Sequence, residues 1–163
     1  MRVGFGYDSH RLVPGRQLVL GGVTVPSDKG LDGWTDADVI VHAIIDALCG
    51  AAGLGDIGVQ FPSGDEEYHN AASIDLLRVV VECVHAKGLR VFNLDVSVLA
   101  EAPLLAPYVG LMRQSLAEAT RVAEDDVSVK PKTNEGMGFV GRGEGIAAYA
   151  VALIVPGESS SRT

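Results

Sequence analysis

The sequence predicts an α/β (α+β) single domain over residues 1–156, with a mixed sheet of four to five strands covered on one face by helices. Three observations carry that prediction. Arg90–Leu99 alternates with period two, setting Phe92, Leu94, Val96 and Val98 against Asn93, Asp95 and Ser97, as a half-buried strand does. Ser73–Lys87 instead repeats at helical spacing, with Leu76, Leu77, Val80, Val81 and Val84 on or near one stripe. Gly145–Val155 is apolar in both alternating sets, so it reads as a strand with two faces to cover. A chain of 163 residues is long enough to build one core without disulfide or metal staples.

Taken in order, Met1–Tyr7 reads as an apolar opening strand, and Gln17–Pro26 as a hairpin turning at Gly21-Gly22. A loop from Gly30 to Gly33 leads to Thr35 or Asp36 as the cap of a helix over 37–52, which Gly53-Leu54-Gly55 ends. The stretch from Asp56 to about Asn70 is a long loop for a compact domain and so a candidate flap over a site. Gly88 closes the 73–87 helix. Leu104–Val122 is mostly helical, with Leu111, Met112, Leu116 and Ala119 inward, and Val127–Lys132 is a strand. Helices suffice to cover one face of such a sheet, which leaves the second face of Gly145–Val155 for another subunit. The segment 157–163, with three consecutive serines, is expected to fray as a disordered tail.

Composition narrows the function. Thirteen basic and 21 acidic residues give a net charge of −8, and no basic stripe appears, which argues against a nucleic-acid partner. An acidic protein that handles phosphate must gather positive charge locally, from metal ions, single Lys or Arg residues and backbone N–H groups. Cys49 and Cys83 have no paired spacing and read as thiols of a reducing compartment. With neither a signal segment nor a run of 18 apolar residues, the expectation is a cytoplasmic protein without a membrane partner.

The chemistry concentrates at two places. In TDADVIVHAIIDALCGAAGLGDIG (35–58), His42 stands four residues after Asp38 and four before Asp46, which at about 3.6 residues per turn sets an imidazole between two carboxylates on one ridge. A lone histidine in an apolar helix is ordinarily a core residue satisfied by a neighbour. Asp8-Ser9-His10 changes that reading, because residues two apart in a strand share a face. Asp8, His10 and His42 make a three-ligand set that leaves a coordination position open. Spacing alone leaves zinc and Fe²⁺ both open.

Several further motifs follow in order: GFGYDSHRL, LGG then VP, AEAP (100–103), KTNE (132–135) and FVGRGEGIAA (139–148). Together with the 35–58 segment they resemble the 2-C-methyl-D-erythritol 2,4-cyclodiphosphate synthase family, from Met1 to about Val155. The resemblance implies a homotrimer with three sheets packed about a threefold axis. It implies an enzyme of isoprenoid precursor biosynthesis that closes 4-diphosphocytidyl-2-C-methyl-D-erythritol 2-phosphate into the cyclic diphosphate and releases CMP. Asp8, His10 and His42 match the family's zinc ligands, and Glu135 its Mg²⁺ or Mn²⁺ ligand. Lys132, Thr133 and Asn134 match the segment gripping the diphosphate, with Thr133 donating to developing charge. Ser9 and Thr35 match substrate contacts beside the metal. Asp56, Ile57 and Gly58 match the methylerythritol loop, continued by Phe61, Pro62, Ser63, Gly64 and Asp65. Ala100, Glu101, Ala102, Pro103, Leu104, Leu105 and Ala106 match a cytidine pocket implied to lie between subunits. Phe139 and Arg142 match positions lining a central trimer cavity that can hold an isoprenoid diphosphate.

The chain also departs from the family pattern. Trp34-Thr35 replaces a usual histidine-serine pair, Ser63 a usual aspartate, Leu104 a common lysine, and Tyr149 a frequent glutamate that would pair with Arg142. Trp34 is expected to take the histidine's place, its indole N–H reaching a phosphate oxygen and its ring closing the cleft. Two other readings of the same ligands are a metal-dependent phosphohydrolase using an activated water and a non-catalytic trimer that binds isoprenoid diphosphates.

Overall fold

The computed structural model describes residues 1–157. The predicted tail lies outside the described residues from 158 onward. A five-stranded mixed sheet has the order β4-β1-β7-β5-β6, from Lys29–Leu31 (β4), Arg2–Pro14 (β1), Gly145–Pro156 (β7), Leu89–Leu99 (β5) and Val127–Lys132 (β6). Only β5 and β6 run parallel. Leu18–Leu20 (β2) and Val23–Val25 (β3) form the predicted hairpin about Gly21-Gly22. Three main helices, Val39–Ala52 (α1), Ser73–Ala86 (α3) and Val109–Thr120 (α4), cover one face, with short helices at Ile57–Gln60 (α2) and Gly138–Gly141 (α5).

The inward face carries Ile146, Ala148, Ala150, Ala152 and Ile154 of β7, with Val91, Leu94, Val96 and Val98 of β5, all buried. α1 lies over β1 and β7 and is apolar nearly all round, as a helix enclosed on every side must be. Two glycines let it approach. A Cβ at Gly4 would fall 1.7 Å from the Ala47 carbonyl oxygen, and one at Gly6 would fall 1.9 Å from that of Ala43. The opposite face of the sheet stays open in the single chain. Val3 and Phe5 are 65% and 63% exposed there, beside Tyr7, Tyr149 and Val151.

Several expectations need correcting. The opening strand does not stop at Tyr7 but runs to Pro14, because β4 and β7 pair with its second half. Gly30 belongs to β4 rather than to a loop. A register shift between Val91 and Asn93 turns Phe92 outward and puts Val91 in the core. Leu111 is exposed, and α4 begins only at Val109 after a short 3₁₀ turn over Ala106–Tyr108. The segment 56–70 is not plain loop, since it holds α2 and a 3₁₀ turn over Glu66–Tyr68. The cap of α1 is Asp38 rather than Thr35 or Asp36, its carboxylate accepting from the Val41 N–H.

Candidate functional site

That cap overturns the ridge proposed around His42. Asp38 is fully buried and faces away from the imidazole, accepting from the N–H groups of Gly21 at 2.9 Å and Gly22 at 2.6 Å. It ties the β2–β3 turn to the helix start. Asp46 is taken by the Ile57 N–H at 2.8 Å and ties α1 to α2. Neither carboxylate touches His42.

The carboxylate that does is Asp8, from a strand 34 residues away. Asp8 and His10 point the same way along β1, opposite Ala148 and Ile146 of β7, and α1 begins so that His42 meets them in its first turn. Asp8 Oδ2 lies 2.9 Å from His10 Nε2 and 2.9 Å from His42 Nδ1, and the two nitrogens are 3.2 Å apart. Burial works to raise the Asp8 pKa, but hydrogen bonds and charge from the two imidazoles hold it well below the usual carboxylate range. Burial likewise works to lower that of His10, and its contacts with Asp8 raise it overall.

Each histidine is fixed from behind. His10 Nδ1–H donates to the Asp32 carbonyl at 2.6 Å, which points Nε2 at Asp8 as the nitrogen that can ligate. His42 Nε2 contacts Ser73 Oγ at 2.8 Å, leaving Nδ1 toward Asp8. One carboxylate oxygen and two ring nitrogens therefore converge on one point, where a cation can replace the protons they share. Tetrahedral ligands at about 2.0–2.1 Å from zinc lie roughly 3.3 Å apart, so atoms 2.9–3.2 Å apart need shift by only a few tenths of an ångström. The donor set fits a metal.

In front of these atoms opens a cavity of about 210 Å³, lined by Trp34, Thr35, Ile57, Gly58, Phe61, Ser63, Tyr68 and Leu76 as well as the triad. The predicted flap thus does border the site, with Pro62, Gly64 and Asp65 following in the same turn. Arg16 pins the loop before α1 by donating to the carbonyls of Gly33 at 3.2 Å and Thr35 at 2.6 Å. Trp34 binds the flap rather than facing the cavity with a free donor. Its indole N–H donates to the Asp65 carbonyl at 2.8 Å, its ring packs at a 41° tilt against His69 with centroids 4.7 Å apart, and its carbonyl accepts from the Asn70 N–H at 2.8 Å. The expectation that this N–H reaches a phosphate is not met in this arrangement. Closure of the cleft by the ring fits it. Tyr68, Leu76 and Ser73 are not among the site residues expected from sequence. The helical stripe holding Leu76 and the helix start at Ser73 were the only local signals.

The remaining predicted residues gather elsewhere on the chain. Glu101, Ala102 and Pro103 line a broad cleft of about 710 Å³ with Lys29 and Arg142. Ala100 and Leu105 are buried, Leu104 is exposed, and Ala106 opens the 3₁₀ turn. Ala100 N–H donates to the Lys132 carbonyl at 2.9 Å, joining that segment to the end of β6. Glu101 Oε1 accepts from the N–H groups of Asn134 at 2.7 Å and Gly136 at 3.3 Å. Thr133 Oγ1 donates to Glu135 Oε1 at 2.9 Å, and Glu135 holds a left-handed φ of 51°, uncommon for a non-glycine residue. Phe139 borders Ser9, His10 and Glu144 in a small hollow, and Arg142 Nε donates to Glu144 at 2.7 Å. The structure brings the triad together with the flap, and 100–106 together with 132–135. It does not bring those two groups into one cavity within a single chain.

A helix-covered mixed sheet with an open carboxylate–bis-imidazole cluster partway along its first strand defines an α/β enzyme class with a metal-site geometry. The sequence matches the YgbB family over residues 1–155. It is 54% identical over 161 residues to 2-C-methyl-D-erythritol 2,4-cyclodiphosphate synthase of Moorella thermoacetica, covering 99% of both chains. It is 58% identical over 154 residues to the synthase of Symbiobacterium thermophilum, covering 94% of this chain and 98% of that one. A solved structure of 2C-methyl-D-erythritol-2,4-cyclodiphosphate synthase in a CDP-bound form superposes with a TM-score of 0.87 at 35% identity, covering 94% of this chain and all of that one. The chain belongs to the 2-C-methyl-D-erythritol 2,4-cyclodiphosphate synthase family.

Proposed function

We propose that this protein converts 4-diphosphocytidyl-2-C-methyl-D-erythritol 2-phosphate into 2-C-methyl-D-erythritol 2,4-cyclodiphosphate and CMP, in isoprenoid precursor biosynthesis in the cytoplasm. An oxygen of the substrate's 2-phosphate attacks the β-phosphorus, and the bond from that phosphorus to the CMP oxygen breaks. Such a reaction asks the protein for in-line positioning and charge neutralisation rather than covalent chemistry. The observation that carries the reading is the convergence of Asp8 Oδ2, His10 Nε2 and His42 Nδ1 within 3.2 Å of one another at the mouth of the flap-lined cavity.

Asp8, His10 and His42 would hold Zn²⁺, and Glu135 would hold Mg²⁺ or Mn²⁺. Bound there, the ions supply Lewis-acid withdrawal of charge from phosphate oxygens. The chain's residues do the positioning. Asp56, Ile57, Gly58 and the Phe61–Asp65 turn enclose the methylerythritol part, and Trp34 keeps that turn closed against water. The Lys132 ammonium neutralises diphosphate charge, and the Thr133 hydroxyl turns from Glu135 to the oxygen on which charge develops. Residues 100–106 receive the cytidine.

A homotrimer accounts for the separation of these groups, since a second copy would bring its 100–106 and 132–135 segments to the first copy's metal cavity. It also accounts for the open apolar sheet face. Phe139 and Arg142 would face the trimer's central cavity, where an isoprenoid diphosphate could sit. No helix among the described residues is long and apolar enough to cross a membrane.

Purified protein incubated with the cytidine diphosphate substrate, Zn²⁺ and Mg²⁺ should yield CMP and a cyclic diphosphate in equal amounts by mass spectrometry. Inorganic phosphate would instead point to a phosphohydrolase. Binding without turnover would point to a non-catalytic binder.

A further inference from the structure

The chain behind His42 does more than fill space. Ser73 is the first residue of α3 and is completely buried, 31 residues from the histidine it meets. Its Oγ lies 2.8 Å from His42 Nε2, 3.2 Å from Thr35 Oγ1, and in short contact with Asp36 Oδ1. A hydroxyl has one hydrogen and two lone pairs. If the Ser73 hydrogen went to His42, an unprotonated serine lone pair would press against a carboxylate oxygen. The hydrogen therefore goes to Asp36, and His42 Nε2–H donates to Ser73 Oγ, with Thr35 Oγ1 a second contact at 3.2 Å. Nδ1 is then the nitrogen that faces Asp8 and is left to ligate.

Asp36 is itself held in place. Oδ2 accepts from the Ser73 N–H at 3.1 Å, Oδ1 accepts from the Asp38 N–H at 3.2 Å, and the Asp36 N–H donates to the Ala71 carbonyl at 3.0 Å. The two histidines are thus set in opposite tautomers, His10 through a backbone carbonyl and His42 through a hydroxyl backed by a carboxylate. Carboxylate backing of a ligating imidazole orients the ring and raises its basicity, and losing such a partner typically weakens metal binding by about 10- to 100-fold.

We infer that Ser73 and Asp36 are positioning residues for the metal centre, a relay that locks His42 in the Nε2–H tautomer and presents Nδ1 to the ion. This rests on the reading of Asp8, His10 and His42 as ligands. The test separates the two claims. Nitrogen-15 correlation spectra of the Zn²⁺-loaded protein should show His42 protonated at Nε2 and His10 at Nδ1. In Ser73→Ala the His42 Nε2–H should exchange with solvent faster while the His10 Nδ1–H signal stays. Zn²⁺ affinity by chelator competition should fall about 10- to 100-fold in Ser73→Ala, and by a smaller factor in Asp36→Asn, which keeps the hydroxyl. Metal-free melting curves check folding, and if Ser73→Ala does not fold, Asp36→Asn carries the test alone. A parent that binds no Zn²⁺ overturns the ligand reading and the relay together. A parent that binds Zn²⁺, with variants of equal affinity and an unchanged His42 Nε2–H signal, overturns the relay and leaves the ligands standing. Lower metal-free stability with unchanged Nε2–H signal and affinity would mean that Ser73 only starts its helix.

Discussion

Replacing Gly6 by alanine should damage the metal centre without touching a ligand. Gly6 lies on the inward face of β1, where an added Cβ would stand 1.9 Å from the Ala43 carbonyl oxygen and 2.8 Å from the Ala47 nitrogen. Contacts of that kind are not found below 3.0 Å, and both neighbours are backbone, so no rotamer change relieves the overlap. Strand and helix must part by about 1 Å. Overpacking of this sort costs roughly 1–3 kcal/mol, which in a chain of this size lowers Tm by about 2–10 °C. The local consequence is larger. Ala43 follows His42 directly, and Asp8 stands two residues beyond Gly6, so the parting falls on the 2.9 Å contact between these ligands. Preorganised sites tolerate about 0.5 Å. Zn²⁺ affinity measured by chelator competition should fall at least 10-fold. Gly50→Ala is the control, since it lies in the same helix with nothing within 4 Å of an added Cβ. It should gain about 0.5–1 kcal/mol from helix propensity and keep full affinity. A Gly6→Ala protein with the parent's Tm and affinity would refute the close-packing argument.

Asp38→Asn should show a pH-dependent cost. Burial, and secondly the charge of Asp36, push the Asp38 carboxyl up to about 6 from 3.8, against the opposing bonds from Gly22, Gly21 and Val41. The stability this group contributes is therefore fully present below pH 3.8 and lost as pH rises through about 6. Relative to Asp38→Asn, the parent should lose about 2 kcal/mol between pH 4 and 7 in metal-free urea titrations; a gap that stays constant across that range would count against it. Trp34→Phe keeps the ring over His69 but removes the bond to the Asp65 carbonyl, so amides of 65–70 should exchange hydrogen roughly 2- to 10-fold faster, matching one lost neutral hydrogen bond. Unchanged protection would show that stacking alone holds the flap. The protein should sediment as a trimer at micromolar concentration, because covering even a few hundred Å² of the Val3–Phe5–Val151 face is worth several kcal/mol per subunit at about 25 cal/mol per Å²; a catalytically active monomer would contradict this.

Much of the fold was legible because periodicity reports burial directly. The 73–87 stripe, the strand over 127–132 and the doubly apolar last strand all appear as read, give or take a residue. The triad was legible for a local reason too, since residues two apart in any strand share a face. What failed depended on distant partners. Asp38 and Asp46 have the right spacing to flank His42, but backbone N–H groups of Gly21, Gly22 and Ile57 claim them first. The bulge that expels Phe92 is set by pairing with β7, and three-residue β4 exists only because β1 runs past it. Trp34 offers a donor in sequence, but a carbonyl 31 residues away occupies it. Ser73 looks like any helix start until Asp36 and His42 arrive from elsewhere in the chain.

The match between β1 and α1 has a further consequence, for how the chain selects its pairing. Two strand residues advance about 6.8 Å and four helix residues about 6 Å, so Gly4 falls under Ala47, Gly6 under Ala43, and Asp8 beside His42. A slip of one residue would transfer Asp8 and His10 to the far side of the sheet, among Tyr7 and Tyr149. It would also drive Val3 and Phe5 beneath carbonyls where not even a methyl group fits. The arrangements that scatter the ligands are thus the same ones that cannot close the core. Packing alone rejects them, and the polypeptide has no need of an ion to template its own coordination sphere.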